Sequence, residues 1–161
     1  MSRIDNEIRV TISVLDRLLD YEPEITREPV ASRAKSLRQL KQSVRRDLEW
    51  LLNTRQTVGG APSDLKELSN SLAAYGLPDF SNLSIESADD QKRMQREIED
   101  AVRIFEPRLE DVEVTIEPAR STERILRFRI DARLKVEPAP EPVTFDTMLQ
   151  LGSGQYIVQG E

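Results

Sequence analysis

Apolar residues recur along this chain with two periods, and the change from one to the other divides it. Over residues 12–20, ISVLDRLLD places Val14, Leu15, Leu18 and Leu19 on one side of a short helix. Pro23 and Pro29 then end that helix and keep the connector extended. Leu37, Leu40, Val44, Leu48, Leu51 and Leu52 follow at spacings mostly of three and four, which holds them within about a 120° stripe on a second, longer helix that faces a core. Trp50, the single tryptophan, lies about 140° from the centre of that stripe, on the side shared with Ser36, Ser43 and Asp47. It cannot join the same core face, so either a second layer covers it or it anchors a partner.

TRQTVGGAPS at 54–63 has the composition of a loop. Ser63 is placed to cap a third helix carrying Leu65, Leu68 and Leu72, which Gly76 and Pro78 terminate. GLPDFSNLSIES is a connector with Leu77, Phe80, Leu83 and Ile85 turned inward. Ser87 starts a fourth helix with Met94, Ile98, Ala101, Val102 and Phe105 at helical spacing, and Pro107 stops it at or just before Glu106. From there the period is two. Val112, Val114 and Ile116 alternate with polar residues until Pro118; Leu126, Phe128, Ile130, Ala132, Leu134 and Val136 alternate with Arg127, Arg129, Asp131, Arg133 and Lys135. After the proline-rich EPAPEPV, Val143, Phe145, Thr147, Leu149 and Leu151 make another strand, and Tyr156 to Val158 a short last one. The fold class expected is α+β, N-terminal helices packed on a C-terminal antiparallel sheet. Residues 1–31 form an N-terminal helix and extended linker, and 32–161 a single α+β domain.

Composition narrows the chemistry. The 161 residues contain neither cysteine nor histidine, which removes thiol nucleophiles, imidazole bases and the usual zinc sites. No metal and no cofactor is expected. Charged residues make up 32% and apolar ones 38%, a modest core under a heavily ionised surface that suits a protein working by contact. The charge is also sorted: residues 32–55 carry net +5, 86–113 net −5 and 120–136 net +4. Such blocks pair within the fold or meet partners of opposite sign. With 29 acids against 23 bases, nucleic acid is not expected as the ligand, and the basic face of Arg127, Arg129, Arg133 and Lys135 has no interleaved aromatics for base stacking. No export signal or membrane-spanning run is visible, so a cytoplasmic protein without direct membrane insertion is expected.

Four strings look specific together: SVLDRLLD at 13–20, RDLEWLLNTR at 46–55, YGLPDFS at 75–81 and FEPRL at 105–109. In this order and at this spacing they resemble the TssE family of type VI secretion baseplate subunits and, through it, the phage baseplate-wedge family that carries a lysozyme-like label. The resemblance runs from Ser13 to Val158, with Glu106, Pro107 and Arg108 as its signature triplet; the acidic linker YEPEITREP departs from it. It implies a small α+β domain and a structural role: joining TssF-like and TssG-like wedge subunits, in a baseplate that also contains TssK and docks at the inner membrane, and connecting them to the first ring of TssB/TssC sheath subunits. It also implies a sheet similar to the sheath's own strand-exchanging domain.

Two sets of site residues follow. Glu106, Pro107, Arg108 and Trp50 are the candidates for wedge contact, the charged pair being expected at an exposed, proline-fixed corner where Arg108 can make charge-assisted hydrogen bonds to partners. Arg127, Arg129, Arg133, Ile157 and Val158 are the candidates for a sheath-facing edge, because a loosely tied C-terminal strand can be extended by another chain. The rival reading is a muramidase. Glu106 is the acid best placed to donate a proton to a glycosidic oxygen, yet Arg108 stands two residues away, and no catalytic residue is assigned.

Overall fold

The computed structural model describes residues 10, 13–18, 33–56, 65–80, 82–84, 87–117, 125–150 and 153–160. Helices come first, α1 (Val14–Leu18), α2 (Arg33–Asn53), α3 (Lys66–Ser69) and α4 (Ala88–Phe105), with a 3-10 turn at Leu72–Ala74. Strands β1 (Leu109–Ile116), β2 (Ile125–Leu134), β3 (Glu141–Gln150) and β4 (Gln155–Gln159) follow. They form one antiparallel sheet in the order β1-β2-β3-β4. The α+β arrangement expected from the two periods is the one observed.

The 3.6-residue stripe of α2 does what its spacing predicts. Leu40, Val44, Leu48, Leu51 and Leu52 are buried and Leu37 packs partly against them, each fully buried side chain being worth about 1.5–3 kcal/mol relative to exposure. In α4 the buried positions are Met94, Ile98, Ala101 and Val102, with Phe105 partly covered. Ser87 caps it as expected, its hydroxyl accepting from Asp90 N–H at 3.4 Å. α4 lies against β1 and α2 against β4, so the two long helices cover one sheet face and touch each other. That face is supplied by the even residues Leu126 to Leu134 of β2 and by Val143, Phe145, Thr147 and Leu149 of β3. In β1 one extra residue interrupts the alternation: the register shifts between Glu110 and Glu113, Asp111 sits at φ 53°, and Leu109 and Val112 both reach the core.

The third helix is not the one expected. Only Lys66–Ser69 is α-helical, and the chain then tightens into the Leu72–Ala74 turn, whose Ser71 hydroxyl accepts from Ala73 N–H. Leu65 and Leu72 are exposed, Leu72 at 85%; a leucine spacing without a surface to bury it does not hold a long helix. The expected cap, Ser63, lies outside the described residues, as do Leu19, the 21–31 linker, Ile85 and Leu151. Gly76 ends this stretch at φ 108°, where a Cβ would stand 2.4 Å from the Thr54 carbonyl oxygen. That close approach lets Leu77 N–H bond Thr54 O at 2.8 Å and Gln56 N–H bond Leu77 O at 2.9 Å.

Candidate functional site

The α4-to-β1 corner is built around Arg108. Glu106 closes α4 by giving its N–H to Val102 O, Pro107 prevents a further turn, and Leu109 N–H returns to Glu106 O. The Arg108 guanidinium therefore swings back over α2. Its Nε donates to Glu106 Oε1 at 2.6 Å and its Nη2 to Glu106 Oε2; Nη2 also reaches Asp47 Oδ2 at 2.6 Å and Nη1 the Ser43 hydroxyl at 3.0 Å. Burial opposes the charge on Arg108, but hydrogen bonds and charge attraction from Glu106, then Asp47, more than offset it and hold the guanidinium above its ordinary pKa.

The pairing continues outward. Asp47 Oδ1 accepts from Arg46 Nε at 3.0 Å, and Arg46 Nη1 meets Asp16 Oδ1 at 2.6 Å. Asp16 is fixed in turn by Ser13, whose hydroxyl donates to Oδ2 and accepts from Asp16 N–H. Five alternating charges, Glu106, Arg108, Asp47, Arg46 and Asp16, thus tie the α4–β1 corner to α2 and α2 to α1. Desolvation works against the Asp16 carboxylate, but hydrogen bonds from Ser13, Ser43 and Arg46 together outweigh it and lower its pKa below the ordinary value.

This geometry corrects one expectation. The Glu106–Arg108 pair is not presented at an exposed corner: Glu106 is only 3% exposed and both its oxygens are committed to Arg108. What the corner does expose is Pro107, whose carbonyl accepts from Lys135 Nζ at 2.9 Å. Trp50 is 54% exposed, so no second layer covers it among the described residues. The Arg46 guanidinium stands 5.0 Å above its ring. Beside them runs a groove of about 430 Å³ that also takes in Leu15, Tyr75 and Phe105, the last two packed edge to face at 5.2 Å. Val14, Leu15 and Leu18 leave the apolar side of α1 exposed next to it.

Sequence reasoning placed Ser43 and Asp47 on the Trp50 side of α2 without giving them a role, and it missed Arg46 and Asp16. One signal was available: Asp47 is one of only two acids in a block of net +5.

The sheath-facing candidates fall in two places. Arg127, Arg129 and Arg133 project from the uncovered sheet face, where Arg129 pairs with Asp146 at 3.1 Å and Arg133 with Asp111 at 3.2 Å. Glu110 and Asp111 belong to the acidic 86–113 block, so for Arg133 the acidic partner lies within the chain. Ile157 and Val158 lie on β4, a sheet edge, with Val158 buried and Ile157 half-buried. Tyr156 N–H and C=O both bond the Asn53 side chain, so they point away from β3; alternation turns the backbone groups of Val158 outward too and those of Ile157 toward β3. Among the described residues of β4, Val158 is the one whose backbone is turned outward and not taken by Asn53. Proline at Ile157 would instead break the β3–β4 ladder.

Among the described residues no helix is long and apolar enough to cross a membrane, and no cluster of acidic side chains is arranged to hold a metal ion. No curated protein sequence matches the chain significantly. The family described as baseplate wedge protein gp25 matches residues 38–139, which take in most of α2, all of α4, β1 and β2 and the strings at 46–55, 75–81 and 105–109, and stop short of β3 and β4. With well over half its length matched, the chain belongs to the baseplate wedge protein gp25 family, whose members are structural components of a phage-like baseplate.

Proposed function

We propose that this protein is the TssE-like subunit of a type VI secretion baseplate, a non-catalytic adaptor acting in the cytoplasm at the inner membrane. In this reading it joins TssF-like and TssG-like subunits in the wedge, with TssK as a further baseplate neighbour, and couples that wedge to the first ring of TssB/TssC sheath subunits. The observation that carries it is the groove beside the corner. There an exposed tryptophan, an exposed proline and a leucine of α1 surround charges that the fold has already neutralised. An aromatic anchor of this kind beside pre-organised side chains is what binding surfaces concentrate. Glu106 and Arg108 then act by holding Pro107 and the groove wall in place.

The muramidase reading asks Glu106 to donate a proton across a sugar cleft. Both of its oxygens already accept from Arg108, and a second carboxylate, Asp47, accepts from the same guanidinium. Two carboxylates clamped on one cation are arranged for structure. Co-purification with TssF-like and TssG-like subunits tests the adaptor reading: Trp50→Ala should weaken capture at least tenfold while the fold stays intact. Undiminished capture would remove the groove from the interface. Peptidoglycan turnover lost in Glu106→Gln would reverse the non-catalytic assignment.

A further inference from the structure

The free edge of β4 is already occupied at one residue. Asn53, the last residue of α2, turns its amide onto the backbone of Tyr156: Oδ1 accepts from Tyr156 N–H at 2.9 Å and Nδ2 donates to Tyr156 C=O at 2.8 Å. The same Nδ2 also donates to Glu49 C=O at 2.8 Å, which anchors the amide to the end of its own helix. A carboxamide offering one donor and one acceptor in a plane is a copy of a peptide unit, and it stands where a residue of a fifth strand would stand.

We propose that Asn53 is a latch on the β4 edge, and that an extended strand from a sheath subunit docks there by displacing its amide from Tyr156. The inference rests on the sheath-coupling reading above and adds the regulation of that site. With the latch closed, an incoming strand can pair only with Val158 and the residues beyond it, too short a ladder to hold two chains together. The isolated subunit is thereby protected from edge-to-edge association, the hazard of an open strand. Opening the latch exchanges two hydrogen bonds for two equivalent ones at Tyr156 and lets the ladder run continuously to Val158, so the exchange costs little once a partner strand is aligned. Next to Tyr156 lies a groove of about 460 Å³ floored by Leu52, Leu77, Phe80 and Met94. It can receive an apolar side chain of the arriving strand, which favours a strand over a second amide.

Two measurements on the full-length protein test this. In the isolated subunit, amide hydrogen exchange at Tyr156 should be slow in the wild type and about tenfold faster in Asn53→Ala, the loss expected for one hydrogen bond. The near-isosteric Asn53→Leu keeps the branched shape but can neither accept from Tyr156 N–H nor donate to its C=O, and should behave alike. Ile157, which bonds β3, is the internal control. Equal acceleration at Tyr156 and Ile157, or none at Tyr156, would overturn the latch. On assembled wedges, both Asn53 variants should start sheath growth several-fold faster than wild type, and Val158→Pro should block it. If Val158→Pro wedges grow sheath normally, docking at β4 fails; if that variant blocks growth while the Asn53 variants match wild type, docking stands and the latch fails.

Discussion

Arginine is used in opposite ways on the two sides of this molecule. At the α4–β1 corner Arg108 is three-quarters covered, and it bridges Glu106, Asp47 and Ser43, which come from an element more than sixty residues away and from its own turn. On the open sheet face Arg129 and Arg133 are about half exposed and meet Asp146, Asp111 and Glu110 from neighbouring strands and Glu117 just past the end of β1. Each arginine satisfies acids, but only the first is placed where losing it strands a charge away from water. The difference teaches that the triplet of residues 106–108 is first a part of the fold, and that whatever it offers a partner it offers through the surface it holds in place. The face that looked strongly basic along β2 is in turn a mixed lattice of both signs.

The largest effect should therefore come from Arg108→Met. Removing the guanidinium leaves the Glu106 carboxylate buried and unpaired, a change that costs about 3–5 kcal/mol when a buried pair is broken from one side. Urea unfolding checks this, and the double variant Glu106→Gln with Arg108→Met should recover a large share of the loss. A loss under about 1 kcal/mol would mean that the corner relaxes to bring water to Glu106, and the contrast between the two regions would disappear. Next in size is Ser43→Ala. Its hydroxyl accepts from Arg108 at 3.0 Å and stands 3.5 Å from Arg46, in a buried position; hydrogen bonds to charged groups contribute about 1.5–3 kcal/mol. The expected loss falls in the lower half of that range, since Arg108 keeps both carboxylates.

How much of this was legible in the sequence follows from the reach of each signal. The core stripe of α2, the cap at Ser87, the stop at Pro107 and the even-numbered alternation of β2 depend on neighbours within a few residues, and each appears where the pattern put it. The Arg108 cluster depends on Ser43 and Asp47, sixty-five and sixty-one positions away, and nothing in FEPRL announces that α2 will pass over it. Read locally, Glu106 and Arg108 flank a proline and belong on the surface. The amide of Asn53 on Tyr156 is hidden for the same reason, across 103 positions. Leu65 and Leu72 show the converse error: a helical spacing that no second surface rewards.

Acid sharpens the comparison at the outer end of the corner cluster. The pKa of Asp16 is lowered in the folded chain, so its contribution is present above the ordinary carboxylate range and is lost as pH falls through the folded value. Wild-type stability should thus drop on acidification below about pH 4, with a shallower drop in Asp16→Asn, as read from unfolding midpoints across a pH series. Parallel curves for the two proteins would mean that Asp16 contributes nothing through its charge. Because Asp16 remains partly hydrated, the difference should be smaller than that for Ser43.

The smallest effect is expected on the open face, and its smallness is what the comparison most needs. Arg129 and Arg133 stand in water, their partners at 3.1 to 4.0 Å are solvated as well, and long side chains must give up rotamer freedom to meet them. Exposed pairs of this kind contribute about 0–1 kcal/mol. Arg133→Ala and Arg129→Ala should therefore shift the urea midpoint slightly, and salt should erase even that, since a Debye length of about 3 Å at 1 M screens charges at these separations. The Arg108→Met loss should persist at the same salt concentration. If instead Arg133→Ala cost as much as Arg108→Met, the Asp111 bulge would be held by its ion pair, and the outer face would have to be counted as part of the scaffold. A small, salt-sensitive change leaves Arg129 and Arg133 free to exchange their acids for those of a binding partner without disturbing the sheet that carries them.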